Sequence, residues 1–264
     1  MLPQIILFIS GGAILALELL ASRIMTPYFG VSLYIWTGIL SITLIALAAG
    51  YWTGGKLANS RKVDSSRLQE LYSVLPAVAS LCIFAACLIY PGLFPSLASW
   101  SLVSGAFVAC VILLAAPLIA TSAMNPLLVA IQKSGDGQSG DSGSGQVFFV
   151  STVGSVAGVL VTAFGLIPYV SNYDAVLIIA AALAALSLAA GLAAPKALKR
   201  RVAIVVTAVA GLIASLLLLW QADAYTGRAG MVNYQGAQWR VEGTFRSLFG
   251  TVKILRQGVD AGGG

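Results

Sequence analysis

Histidine is absent from the chain, and charge is scarce: Asp, Glu, Lys and Arg make up 9% of 264 residues. Without imidazole, histidine-based acid–base catalysis is excluded and few routes to a zinc site remain. So little charge excludes an ordinary soluble domain, in which about 25% of residues are charged. Only three cysteines occur, Cys82, Cys87 and Cys110, each inside an apolar run and without CxxC or metal-ligand spacing. They read as small packing residues, and no metal is expected. The N-terminus lacks a basic flank and a small-residue cleavage site, so the first apolar run reads as a retained span. No phosphate-cradling glycine loop is found, since nothing follows the run Gly262–Gly264. No catalytic residue and no cofactor are therefore expected in this chain.

What fills the sequence instead is apolar: 59% of residues are hydrophobic, and the mean hydropathy is +0.93. Seven apolar stretches run near 3–25, 32–53, 71–91, 101–131, 147–170, 174–194 and 202–221. Each reaches the roughly 20 residues a helix needs to cross hydrocarbon. Alanine and leucine dominate without long period-two alternation, which excludes a membrane β-barrel reading. The expected fold is an all-α bundle of about seven transmembrane helices over 1–221, with a polar tail over 222–264. In that tail Gly250–Leu255 has the β-branched content of a strand. The Gly/Ser-rich stretch 133–146 reads as a flexible linker between the fourth and fifth spans. Pro117 and Pro126 place a kink or a helix end inside the fourth.

The net charge of +6 comes in bursts between apolar runs, not as a continuous basic surface, so no nucleic-acid partner is expected. Lys56, Arg61, Lys62 and Arg67 follow the second span, and Lys196, Lys199, Arg200 and Arg201 follow the sixth. Lys and Arg are missing after the third and fifth. The positive-inside rule then puts the N-terminus and the even-numbered loops in the cytoplasm, and the tail on the periplasmic side of a bacterial inner membrane. Tyr28, Phe29, Tyr34 and Trp36 at one level, with Tyr51 and Trp52 at the other, read as interfacial aromatic belts.

Two polar residues within spans stand out. Glu18 lies five residues before Arg23, about 140° around a helix, so the two are poor partners for each other. A carboxylate inside a span faces the bundle interior or a partner. It either contacts a cation such as a polyamine amine, or takes a hydrogen bond from Ser, Thr or Asn of a neighbouring helix. Asn125, with Thr121 and Ser122, stands beside Pro126, where it either lines a substrate path or satisfies backbone freed by the proline. Two GxxxG pairs, Gly50 with Gly54 and Gly154 with Gly158, read as helix-packing surfaces. Asp174 reads as a residue that caps the sixth span or favours its dipole.

Several of these stretches carry a resemblance. ALELLASRIMTPYFG, ending at Gly30, resembles the first span and turn of the membrane module fused to spermidine synthase-like domains in bacteria. SLYIWTGILSITLIALAAGYWTGGKLA resembles its second span, PLIATSAMNPLL its fourth and STVGSVAGVLVTAFGLIP its fifth. The tail VEGTFRSLFGTVKILRQG is similar to the first strand of the aminopropyltransferase-like domain. The turn GYWTGGKLANSRK is also similar to the loop between the second and third spans of the major facilitator superfamily, with Asn59 where an acidic residue is usual.

The resemblance implies a non-catalytic membrane module that anchors a catalytic domain supplied in cis or in trans. That domain would transfer an aminopropyl group from decarboxylated S-adenosylmethionine to putrescine. The glycine-rich strand end and acidic catalytic residues of that domain are not in this sequence, so the chain reads as a piece of a larger protein or assembly. The alternatives are a half-transporter for a polyamine or other small cation, acting as a homodimer, and a structural membrane subunit.

Overall fold

The computed structural model describes residues 1–59, 64–136, 141–194, 200–222, 231–234, 237–247 and 250–257. Seven helical spans in it are long and apolar enough to cross a bilayer. The chain is a polytopic all-α bundle followed by a small sheet.

The first span is α1 (Leu2–Phe29), which starts with Pro3 in its first turn and stops at Gly30. Gly30 has φ of +79°, a left-handed conformation that glycine adopts without a Cβ clash. The chain reverses there into α2 (Leu33–Ala58). The third span, α3 (Ser65–Trp100), opens on Asp64, whose carboxylate accepts the Ser65 amide at 2.8 Å. It runs 36 residues without interruption through Pro76, Pro91 and Pro95, a length of ~54 Å at 1.5 Å per residue. Prolines are tolerated in spanning helices because neighbouring groups re-satisfy the freed backbone.

The fourth span is broken, in contrast to the third. It consists of α4 (Leu102–Cys110), a π-helical segment (Val111–Ala115), α5 (Ala116–Ser122) and α6 (Met124–Asp136). Pro117 sits in the first turn of α5 and Pro126 in that of α6, where the missing amide hydrogen costs least. The fifth span is α7 (Asp141–Leu160) with a second π-helical segment (Val161–Leu166), the sixth is α8 (Asn172–Ala193) and the seventh α9 (Arg201–Trp220).

Two expectations change at this level. The linker over 133–146 is helical at both flanks, since α6 continues to Asp136 and α7 starts at Asp141. Extending an existing helix avoids the nucleation cost, so glycine and serine are carried along at about 1 kcal/mol or less each. Residues 137–140 lie outside the described ones. Phe29 is no belt residue: it is 3% exposed and packs edge-on against Phe94 at 5.8 Å. Tyr28, Tyr90 and Tyr173 join the same aromatic cluster, while Tyr34, Trp36 and Trp52 remain exposed.

Two apolar clusters stack along the bundle. One gathers Leu17 and Leu20 of α1 with Ile83, Phe94, Leu114, Leu118 and Leu183. The other joins Ile6 and Leu7, near the start of α1, to Leu68, Tyr72, Met124 and Leu127. Large exposed apolar residues such as Leu44, Phe149, Phe164 and Leu217 form a surface suited to lipid.

Beyond α9 the backbone forms a three-stranded antiparallel sheet, β1 (Met231–Tyr234), β2 (Ala237–Ser247) and β3 (Gly250–Gln257), in sequence order. The expected strand at Gly250–Leu255 lies within β3. The register of β2 against β3 shifts between Val241 and Gly243, a bulge at a glycine. Residues 258–264 lie outside the described ones.

Candidate functional site

Glu18 is half-buried on α1, one turn before Ser22, and among the described residues it has no hydrogen bond or ion pair. The hydrogen bond from a neighbouring helix, one of its two expected roles, is not formed among the described residues. Asn125 is 2% exposed in the first turn of α6, and its Oδ1 has no hydrogen-bond partner among the described residues. The two do not meet. Asn125 is flanked by Met124, which packs in the cluster at the start of α1. Glu18 is flanked by Leu17, which belongs to the other cluster. Among the described residues the two thus sit beside different apolar clusters.

The polar groups around the break in the fourth span turn back on their own helix. Thr121 Oγ1 donates to the carbonyl of Pro117 at 2.9 Å, and Ser122 Oγ reaches that of Ile119 at 3.4 Å. Cys110 Sγ donates to Met25 Sδ at 3.6 Å inside the core. Among the described residues no group of three or more His, Cys, Asp or Glu comes together to hold a metal.

The glycine pairs sit at the closest helix crossings. Gly50 faces Ser122 and Ile119 of α5, and a Cβ at Gly54 would lie 2.7 Å from Cγ of Pro126. Gly154 faces the backbone of Phe8, and Gly158 that of Gly12. The crossing of α1 with α7 is the most extensive helix pair in the bundle. Its α1 half, Gly11 and Gly12, has the same small-residue signature but is adjacent in sequence, so it escapes a GxxxG search. Ser155 Oγ locks the crossing by donating to the Gly11 carbonyl at 2.9 Å.

Side chains also tie the helix ends on the side where α1 begins. Arg201 Nε and Nη2 donate to the carbonyls of Gly191 and Leu192 at 3.0 and 2.8 Å, capping α8. Glu70 Oε1 accepts the Arg200 amide at 3.1 Å, at the start of α9. Tyr72 Oη donates to the Pro3 carbonyl at 2.6 Å. At the start of α8, Ser171 and Asp174 form a reciprocal capping box, with Asp174 at its third position.

The polar recess of the bundle lies at the other end. A cavity of about 430 Å³ opens where α1 turns into α2 beside the start of α8. Arg23, Ser22, Thr26, Ser32, Trp36 and Asn172 contribute its polar lining. An apolar crevice of about 320 Å³ lies between α1, α7 and α8, lined by Gly12, Ala16, Gly158 and Leu183 among others. Neither contains Glu18 or Asn125.

No protein-family model matches the chain, and neither a curated protein nor a solved structure matches it.

Proposed function

We propose that this multi-pass membrane protein is the non-catalytic membrane module of a spermidine synthase-like protein, anchoring or scaffolding an aminopropyltransferase-like domain. The observation that supports the reading most is the sheet beyond α9. A chain that leaves its last span and enters an antiparallel sheet carries folded structure outside the bilayer, as an anchor does. The interior fits the same reading, because the hydroxyls of its fourth span are engaged on their own helix. By the positive-inside rule the module lies in a bacterial inner membrane with the N-terminus cytoplasmic and the tail periplasmic.

The test is spermidine formation from decarboxylated S-adenosylmethionine and putrescine in native membranes with and without the gene. Activity that sediments with membranes, and leaves them when the bundle is deleted, is the expected result. Membrane-bound activity unchanged by loss of the gene would overturn the reading. Alkaline phosphatase and green fluorescent protein fused after Ala222 report the side of the tail: active phosphatase and dark fluorescent protein are expected.

Glu18 favours a second reading, a half-transporter for a polyamine or other small cation. A carboxylate without a partner among the described residues, inside a span, matches an ammonium ligand, and two copies would be needed to enclose a path. Uptake of labelled putrescine into proteoliposomes, abolished by Glu18→Gln, would favour this reading over the anchor. The absence of uptake would leave the anchor or a purely structural subunit.

A further inference from the structure

Of the nine acidic residues in the chain, Glu18 alone lies more than two turns from either end of a spanning helix. Glu18, Ser22 and Thr26 follow one another at four-residue steps, so they form one stripe on α1, each step rising ~6 Å and turning ~40°. The last two line the cavity at the α1–α2 turn. Ser22 Oγ donates to the Leu19 carbonyl and Thr26 Oγ1 to the Ser22 carbonyl, each at 2.7 Å. Both hydroxyls keep lone pairs for water, and a polar cavity of about 430 Å³ has room for several molecules of it. From Ser22 down to Glu18 is one turn, a step that about two hydrogen-bonded waters cover.

The other titratable and charged groups around α1 are engaged elsewhere or stand at span ends. On α1 itself, Arg23 has an interaction of its own, and Tyr28 meets Phe94 edge-on. Between Val147 and Leu166, along α7 and the π-helical segment after it, there is no titratable side chain. On α8, Asp174 is held in its capping box and Tyr173 donates to the Cys87 carbonyl. On α2, Tyr34 is exposed at the start, and Tyr51 and Lys56 near the end lie against Phe148 and Trp52. Cys110 of α4 donates to Met25, Lys133 lies in the last turn of α6, and Tyr72 of α3 donates to Pro3.

A charge in hydrocarbon is costly, and a proton removes it with a single bond. A metal ion asks for several ligands at once, and among the described residues no group of three or more His, Cys, Asp or Glu gathers to supply them. We propose that Glu18 is a proton-binding site, loaded and emptied by water from the cavity at the α1–α2 turn. The step is the exchange of one proton between a water of that cavity and a carboxylate oxygen of Glu18, with no other bond made or broken. It takes place whether the module anchors a domain or forms half of a transporter.

Dicyclohexylcarbodiimide tests this, because it enters membranes and adds to a carboxyl group that carries its proton. The full chain in membrane vesicles of either orientation is treated over a range of external pH with the lumen buffered, and the adduct on Glu18 is measured by peptide mass spectrometry. The fusion after Ala222 tells which vesicles expose the α1–α2 turn, since the first and seventh spans end on the same side. In those vesicles the adduct should fall about tenfold per pH unit once the carboxyl loses its proton. In vesicles of the opposite orientation, external pH should leave it unchanged. Glu18→Gln should lose the adduct. Thr26→Leu, at an exposed position of the cavity, should slow the response to an external pH jump severalfold. Circular dichroism checks that this variant folds, and the comparison of orientations in the parent chain carries the test where it does not. The absence of an adduct at every pH, an adduct indifferent to pH, or one governed from the opposite side or from both would overturn the inference. An unchanged response in folded Thr26→Leu would overturn the route through the cavity. Protection of Glu18 by added putrescine, with no response to pH, would overturn the inference and favour the ammonium ligand of the half-transporter.

Discussion

Gly158 of α7 lies so close to Gly12 of α1 that a methyl group on Gly158 would fall on the backbone of Gly12. Two helices approach this closely only where neither has a side chain, and dispersion and weak backbone contacts then replace a hydrophobic drive that the bilayer does not supply. Gly158→Val should lower stability by about 1–3 kcal/mol, the usual cost of overpacking. Thermal unfolding in detergent, followed by circular dichroism, measures it.

A neighbouring pair of glycines offers an internal control. A Cβ at Gly54 would meet Pro126, whereas one at Gly55 meets nothing within 4 Å. Gly54→Ala should destabilise, and Gly55→Ala should be neutral or stabilising by up to about 1 kcal/mol through helix propensity. Equal melting temperatures for the two variants would contradict the crossing described.

Arg201 closes the end of α8, and its removal should be felt there. Arg201→Ala should cost about 0.5–1.5 kcal/mol, with amide exchange rising at the last turn of α8 and not at its start. Arg201→Lys should recover only part, since one ammonium cannot reproduce two donors in a fixed fork.

Glu18→Gln breaks no ion pair among the described residues and removes a charge from a half-buried position. The variant should be at least as stable as the parent in thermal unfolding. A loss above about 1 kcal/mol would mean that the carboxylate has a partner in the folded protein.

Tyr72→Phe removes one hydroxyl and leaves the ring. Its hydrogen bond to Pro3 fastens the start of α1 to α3, so the variant should lose about 0.5–1.5 kcal/mol. Proteolysis at the N-terminus should speed up with it.

The spans were legible because hydropathy alone decides what can enter hydrocarbon, and the expected seven runs match the helices to within a few residues except at α3. There the polar residues Ser65–Gln69 and the proline-rich end Pro91–Trp100 stay helical. Hydropathy does not see these turns, which the neighbouring apolar helix extends. The break in the fourth span was signalled by Pro117 and Pro126, since proline removes a backbone donor, although Pro76, Pro91 and Pro95 leave α3 continuous. The polar recess was not legible. It depends on Asn172 reaching the end of α1 from about 150 residues away, on Phe29 turning inward, and on hydroxyl protons already committed to the backbone. None of these has a one-dimensional signal.

The length of α3 makes membrane thickness a setting of this molecule. A helix of ~54 Å outruns a hydrocarbon layer of about 30 Å, so it must lean, bend or stand proud of it. Pro76, Pro91 and Pro95 give it places to bend. A bilayer thinner than its apolar run of 71–91 would tip α3, and α8 and α9, the helices it packs against most, would follow it. Hydrophobic mismatch thus acts on the end of the bundle from which the chain leaves for its sheet.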